Sequence, residues 1–186
     1  MNIILASASS RRKDILKKAG YDFKIIPSEY EENITGKEYS KELVEACAYS
    51  KASDVLKNNQ NSVIVSADTV VVVDNIILGK PKDKFDACLT LEKLSDRVHF
   101  VATSFCILSK DKKITSTDTT YVTFRKLNKK DILNYIETKN PLDKAGSYGI
   151  QDEGFDFCIK IDGELENVIG FPLKMFEEKL KEFKNK

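Results

Sequence analysis

The chain has a single histidine, no CxxC pair, almost no net charge and no long apolar run. Each lack excludes something. With His99 alone, a multi-histidine metal centre is ruled out, and any Ser-His-Asp or Cys-His site would have to use that one residue inside an apparent strand. The four cysteines, Cys47, Cys88, Cys106 and Cys158, stand far apart among apolar neighbours, and buried thiols in a reducing cytoplasm are expected. Lysine and arginine number 30 against 29 aspartates and glutamates, a net charge of +1. No global field therefore draws the chain to nucleic acid or to an anionic membrane, and local clusters must carry any anion binding. No stretch approaches the roughly 18 apolar residues of a spanning helix. The apolar start, Met1 to Ala6, is short, and Arg11 and Arg12 follow it, the reverse of a secretory signal. Asn33-Ile34-Thr35 matches a glycosylation sequon without a secretion route to use it. A cytoplasmic protein with no nucleic-acid or membrane partner is the expectation.

What is present suits one domain over 1–186: the length is close to the roughly 150 residues of a typical domain, and 41% hydrophobic residues can fill a core without disulfides. Asn2 to Ala6 reads as a short buried strand, followed by the small-residue loop Ser7-Ala8-Ser9-Ser10 and a helix to Ala19, closed by Gly20. Asp22 to Ile26 reads as a second strand, and Ser28 to Lys37 as a polar stretch. Leu43, Cys47, Ala52 and Val55 recur at helical spacing between Ser40 and Leu56. Strands are expected over Ser62 to Ala67, Thr69 to Val73 and Ile76 to Leu78, with a turn at Asp74-Asn75, then a helix over Asp83 to Leu94. Val98 to Leu108 and Ile114 to Phe124 form a long strand pair, and Asn128 caps a helix through Ile136. A glycine-bearing loop over Lys139 to Gly154 leads to a strand at Phe155 to Ile161, an extended piece at Val168-Ile169 and a last helix from Pro172. Strands alternate with helices early and pair as hairpins late, which gives an α/β fold with a mixed sheet.

Chemistry concentrates at few places. Arg11 and Arg12 fall in the first turn of a helix, where the helix dipole already places positive charge, so they are either an anion site built with the free amides or a solvated pair. Asp68 interrupts the apolar run Val63 to Val73. A buried carboxylate is costly without a partner, so it marks either a strand end or bulge facing a cleft, with Thr69 beside it, or a bend satisfied by backbone amides. Lys51 among apolar helix residues reads as a snorkelling lysine or a site group, and Lys80 in Gly79-Lys80-Pro81 is no Walker lysine. The acidic run Glu29 to Glu32 is a solvated loop or a source of one carboxylate for a hard cation. Glycines in Asp143 to Gln151 allow close backbone approach to a ligand, and Gln151 can read a base edge. The residues alone reach a phosphorylated ligand, with or without magnesium.

Five of these segments, in this order, resemble the Maf family of nucleoside triphosphate pyrophosphatases: Leu5-Ala6-Ser7-Ala8-Ser9-Ser10-Arg11-Arg12, Ala67-Asp68-Thr69-Val70-Val71, Leu78-Gly79-Lys80-Pro81-Lys82, Asp143 to Gln151, and Asn167-Val168-Ile169-Gly170-Phe171-Pro172-Leu173. The resemblance implies an elongated, two-lobed Maf/Ham1-like α/β fold, with a mixed twisted sheet, flanking helices and a central cleft. It implies hydrolysis of dTTP, UTP and modified pyrimidine analogues to monophosphate and pyrophosphate with a divalent metal (Mg2+ or Mn2+), clearing such nucleotides from the pool. By position it makes Asp68 the proton acceptor and Arg11, Thr69 and Gln151 the specificity residues. Ser7, Arg12, Lys51 and Lys80 become phosphate-binding, with Glu32 and Asp68 at the metal. It also allows a homodimer.

Departures from the family pattern are visible. Ser10 replaces a usual proline and is expected to cap the helix; Asp152-Glu153 replace a usual glycine and add negative charge near the base pocket; Asp96 replaces a turn glycine. Three rival readings are the sister activity on 7-methyl-GTP, against which Arg11 and Gln151 argue, a silent nucleotide sensor in division control, and a nucleic-acid binder. The near-neutral charge makes the last the weakest.

Overall fold

Residues 2–185 are described by a computed structural model, so Met1 and Lys186, the ends of the expected domain, lie outside it. The elements run β1 (Ile3–Leu5), α1 (Ser10–Lys18), β2 (Lys24–Ile25), α2 (Lys41–Leu56), β3 (Val63–Val73), β4 (Ile76–Leu78), α3 (Lys84–Leu94), β5 (Val98–Leu108), β6 (Lys113–Phe124), α4 (Lys129–Thr138), β7 (Cys158–Asp162), α5 (Leu165–Ile169) and α6 (Leu173–Lys184). One mixed sheet has the order β2-β1-β3-β5-β6-β7, with β1 parallel to β2 and β3 and the other pairs antiparallel. The hairpin strand β4 shares the β1 edge of β3. Its turn residues Asp74 and Asn75 both have positive φ, as a tight hairpin requires.

Helices cover both faces. On one, Ile64, Val70 and Val72 of β3 pack with Cys106 or Ala102 of β5 under α2. The other carries two apolar clusters at opposite ends. Val65, Ala67, Phe105 and Ile107 pack against α1 and α6, whereas Val71, Val101, Val122 and Phe124 pack against α3 and α4. Between them, opposed Thr69 and Thr103 make a polar rung. These two clusters are the two lobes, and the rung is where the cleft begins.

Several local expectations need correction. Asp68 neither ends nor bulges β3: register runs unbroken through Asp68 opposite Ser104. The cleft arises instead because β1 covers only Val63–Val65 and β4 only Val71–Val73, which leaves the outer edge of Ser66–Val70 without a strand partner among the described residues. Val168-Ile169 is helical, not extended; α5 is closed by Gly170 at φ 127, and the β-branched pair is outvoted by that cap. The last strand starts at Cys158 rather than Phe155, and the second shrinks to Lys24–Ile25. Ser9, not Ser10, caps α1, accepting from the Arg12 amide, so Ser10 takes the first helical position. Cys47 and Cys106 are buried, but Cys88 and Cys158 are only half-buried. Burial pushes the Cys106 thiol up to about 12 and keeps it inert. Asp96 does occupy a left-handed turn, at φ 60.

His99, the lone histidine, is buried at 2% exposure against Phe124, with its Nε2 2.8 Å from the Tyr148 hydroxyl. It supports the cavity wall from behind. Burial lowers its pKa to about 4 from the usual 6.5, so in that window the unfolded chain binds the extra proton and stability falls as pH falls. By pH 5 this amounts to about 2 kcal/mol. Thermal melts at pH 7 and pH 5 check it: His99→Gln, which keeps a partner for Tyr148, should lose clearly less stability on acidification than the wild type.

Candidate active site

The open edge of β3 forms the floor of a cavity of about 420 Å³ between the two lobes, within the range of small-ligand sites. Its position at the carboxyl end of β1, where the chain leaves for α1, follows the rule for ligand crevices in α/β sheets. Ser7, Arg11, Arg12, Glu32, Lys51, Asp68, Thr69, Lys80 and Gln151 all line it, although they come from six separate stretches of chain. No expected site residue is left out.

At the polar end, alternation along β3 turns Asp68 toward α2, where Lys51 waits. Lys51 Nζ lies 2.6 Å from Asp68 Oδ1 and 2.7 Å from Glu32 Oε1, so one ammonium bridges two carboxylates. Lys51 is therefore not a snorkelling lysine; it is buried and paired at both ends of its reach. Burial pushes Asp68 up to about 6 despite the pull of Lys51. Glu32 shows the opposite balance: burial raises it, but attraction to Lys51 and to Lys80 outweighs that and brings it down to about 2. The second oxygen of Asp68, Oδ2, is buried without a hydrogen-bond partner among the described residues. An orphaned buried carboxylate oxygen is expensive, and on a residue of the cavity lining such an oxygen can accept a proton or a ligand bond.

Arg12 is fixed on the next face of the strand. Its Nε donates to the Gly170 carbonyl at 2.9 Å, Nη2 to Thr69 Oγ1 at 3.0 Å and Nη1 to Ser7 Oγ at 3.3 Å. Burial lowers its pKa while Asp68 and Glu32 pull it back up, so the charge is held where two carboxylates need it. The first turn of α1 contains no acidic residue, and Ser10, Arg11 and Arg12 at its start line the cavity. An anion there meets aligned N–H groups and a guanidinium together.

The opposite wall is the loop from Asp143 to Gln151. Arg11 reaches across to it, donating to Asp143 Oδ2 at 3.1 Å and to the Asp143 carbonyl at 3.2 Å. Gly146, at φ 67, crosses directly over β3; a Cβ there would lie 2.7 Å from Val71 Cγ2. Val71, Val101, Tyr148 and Ile150 make this end apolar, with Gln151 exposed at the rim. A planar base suits that end and a phosphate chain suits the other.

Sequence reasoning passed over Lys144, Asn167 and Tyr148. Lys144 is buried beside the cavity with Asp143 Oδ1 at 3.2 Å; a lysine among glycines in an otherwise small-residue loop was the available signal. Asn167 is fully buried, its amide donating to the Val101 carbonyl and Thr120 Oγ1, and its backbone carbonyl accepts from Thr103. Through Thr103, 3.0 Å from Thr69, it sets the rung under Arg12. Its signal was a lone amide next to an apolar stretch.

A family model described as "Maf-like protein" matches residues 2–183. A protein of Acholeplasma laidlawii (strain PG-8A) named "dTTP/UTP pyrophosphatase" is 46% identical over 182 residues, covering 97% of this chain and 96% of that protein. One of the same name from Bacillus anthracis (strain CDC 684 / NRRL 3495) is 44% identical over 181 residues, covering 97% and 95%. Among solved structures, the Staphylococcus aureus Ham1 protein aligns over 67% of this chain and 72% of that one, at 15% identity and a TM-score of 0.46. Among the described residues no helix is long and apolar enough to cross a membrane.

Proposed function

The chain belongs to the Maf family, and on that premise we propose that it hydrolyses dTTP and UTP to the nucleoside monophosphate and pyrophosphate. The observation that carries the reading is Asp68: a buried carboxylate on the cavity lining, with one oxygen held by Lys51 and the other buried without a hydrogen-bond partner among the described residues. Oδ2 takes a proton from a water that attacks the α-phosphorus. The new oxygen–phosphorus bond forms as the bond from the α-phosphorus to the α–β bridging oxygen breaks. Pyrophosphate leaves with that oxygen and its electron pair, and the proton stays on Asp68. An acid lifted toward neutrality by burial is still ionised at pH 7 and is basic enough to do this.

Lys51 fixes the carboxylate through Oδ1, so the free oxygen keeps one orientation. Arg12, Lys80 and the first amides of α1 offset the triphosphate charge. Gln151 can both donate to and accept from a uracil or thymine edge, which a glutamate cannot. Magnesium or manganese would be held by Glu32, a hard oxygen donor on the cavity lining, with Asp68 beside it across Lys51 and its Oδ2 kept as the base. The described residues hold no group of three acidic, cysteine or histidine ligands, so water and phosphate oxygens would complete the shell. When bound, such an ion would neutralise phosphate charge and lower the pKa of the attacking water. Clearing modified pyrimidine nucleotides from the pool is the cellular role this activity would serve.

Pyrophosphate release from dTTP, UTP, CTP and 7-methyl-GTP, with magnesium or manganese and again after EDTA, tests the reading. Turnover of dTTP and UTP that stops with EDTA is expected. Turnover of 7-methyl-GTP alone would contradict the roles of Arg11 and Gln151, and no turnover at all would point to a binding protein.

A further inference from the structure

The reaction leaves one buried polar network unused, on the wall that carries Gln151. The Tyr135 hydroxyl, from α4, donates to Asp152 Oδ2 at 2.5 Å and accepts from the Gly149 amide at 2.8 Å. Tyr135 is 1% exposed and clamped edge-on by Phe155, so its hydroxyl cannot follow the loop if the loop moves. Burial raises its pKa, and the hydrogen bond to Asp152 raises it further, so the hydroxyl stays a donor. The Asp152 amide in turn donates to the Gly149 carbonyl at 3.0 Å, closing a turn around Gln151. The carboxylate fills the space beneath that turn: a Cβ on Gly149 would lie 2.8 Å from it.

On its other side, Asp152 Oδ2 lies 3.7 Å from Lys144 Nζ. Lys144 is also held by Asp143 Oδ1, and Asp143 is the residue Arg11 grips from across the cavity. A polar chain thus runs from Arg11 through Asp143, Lys144, Asp152 and Tyr135 to Gly149. Its two ends are the residue that closes the cavity mouth and the turn that presents Gln151. As departures from the family pattern, Asp152 and Glu153 are expected to add negative charge beside the base pocket. Glu153 is exposed, but the Asp152 charge is taken up by Tyr135 and Lys144, so it works on the loop rather than against the ligand.

We propose that Asp152 is a positioning residue for nucleobase recognition: through Tyr135 and Lys144 it holds the Gly149–Gln151 turn in register with Arg11 across the cavity. The inference rests on the pyrimidine nucleotide reading of this same site. It distinguishes Asp152 from a structural residue, because the loop it holds touches the base end of the cavity and not the phosphate end. Its loss should therefore change which base is accepted, and how tightly, more than how fast the α-phosphorus reacts.

The experiment compares wild type with Asp152→Ala, Asp152→Asn and Tyr135→Phe. It uses steady-state kinetics on UTP and CTP, and equilibrium binding of the products UMP and CMP. For Asp152→Ala the account expects KM for UTP to rise about tenfold with kcat falling less than threefold, and the preference for UTP over CTP to shrink by a similar factor. Asparagine still accepts from Tyr135 and should recover most of that loss; Tyr135→Phe should reproduce it. Equal effects on both nucleotides, or an unchanged KM in folded Asp152→Ala or Tyr135→Phe, would overturn the inference. Should the alanine variant fail to fold, the phenylalanine variant decides by the same criteria. Absent turnover by the wild type would sink the pyrophosphatase reading, while UMP binding would still decide this one: weaker UMP binding and a smaller UMP-over-CMP preference support it. Unchanged binding, or none in the wild type, overturns it.

Discussion

Asp68→Asn is expected to lower kcat for UTP by about 10²–10⁴-fold, the range a positioned general base supplies. The asparagine side chain has nearly the same shape, still lies beside Lys51, and still sits opposite Ser104 in an unbroken strand pair. What it loses is basicity. Its thermal behaviour should move the other way. The folded protein holds the ionised Asp68 at a cost, which is why burial lifts its pKa. Replacing the charge by a neutral amide removes that cost while Lys51 keeps Glu32 as its ion-pair partner, so the melting temperature should be unchanged or raised. Low activity with retained stability separates a chemical role from a structural one. A loss below tenfold, or a loss that tracks unfolding, would argue against Asp68 as the base.

Lys51→Met should fail on both counts. The methionine stem can follow the apolar path of the lysine between α2 and β3, but Glu32 and Asp68 then share a pocket with no cation between them. Breaking a buried pair by removing one partner costs about 3–5 kcal/mol; Glu32 is partly solvated, so the low end applies here. Activity should fall by about 10²-fold or more, because the Asp68 carboxylate loses the contact that orients it. The double variant Lys51→Met/Asp68→Asn provides the check. With the buried charge gone as well, it should regain most of the lost stability while remaining inactive, a coupling above about 1 kcal/mol. Additive losses in chemical denaturation would mean that the two residues do not act as a pair.

These two residues also show what a sequence can reveal and where it stops. Asp68 stood out because a carboxylate inside Val63–Val73 violates a local rule, and the structure places it on the cavity lining. Arg11 and Arg12 stood out for the same kind of reason, charge of the wrong sign at a helix start. Lys51 could be read equally as a snorkelling lysine or a site group, because its partners lie 19 and 17 residues away in sequence and meet it only after α2 packs on β3. The open edge at Ser66–Val70 was equally hidden. It depends on how far β1 and β4 reach along β3, which is a matter of strand order and register. Locally, α2, α3 and the β5–β6 pair could be read from periodicity alone, to within a residue or two at their ends. The α5 turn could not, because buried Asn167 and the positive φ of Gly170 override the extended preference of Val168 and Ile169.

The central claim is that water activated at Asp68 attacks the α-phosphorus. Hydrolysis of UTP in water enriched in oxygen-18, with mass analysis of both products, tests it directly. The account predicts one labelled oxygen in UMP and none in pyrophosphate. Label in pyrophosphate, or products that are UDP and phosphate, would contradict it.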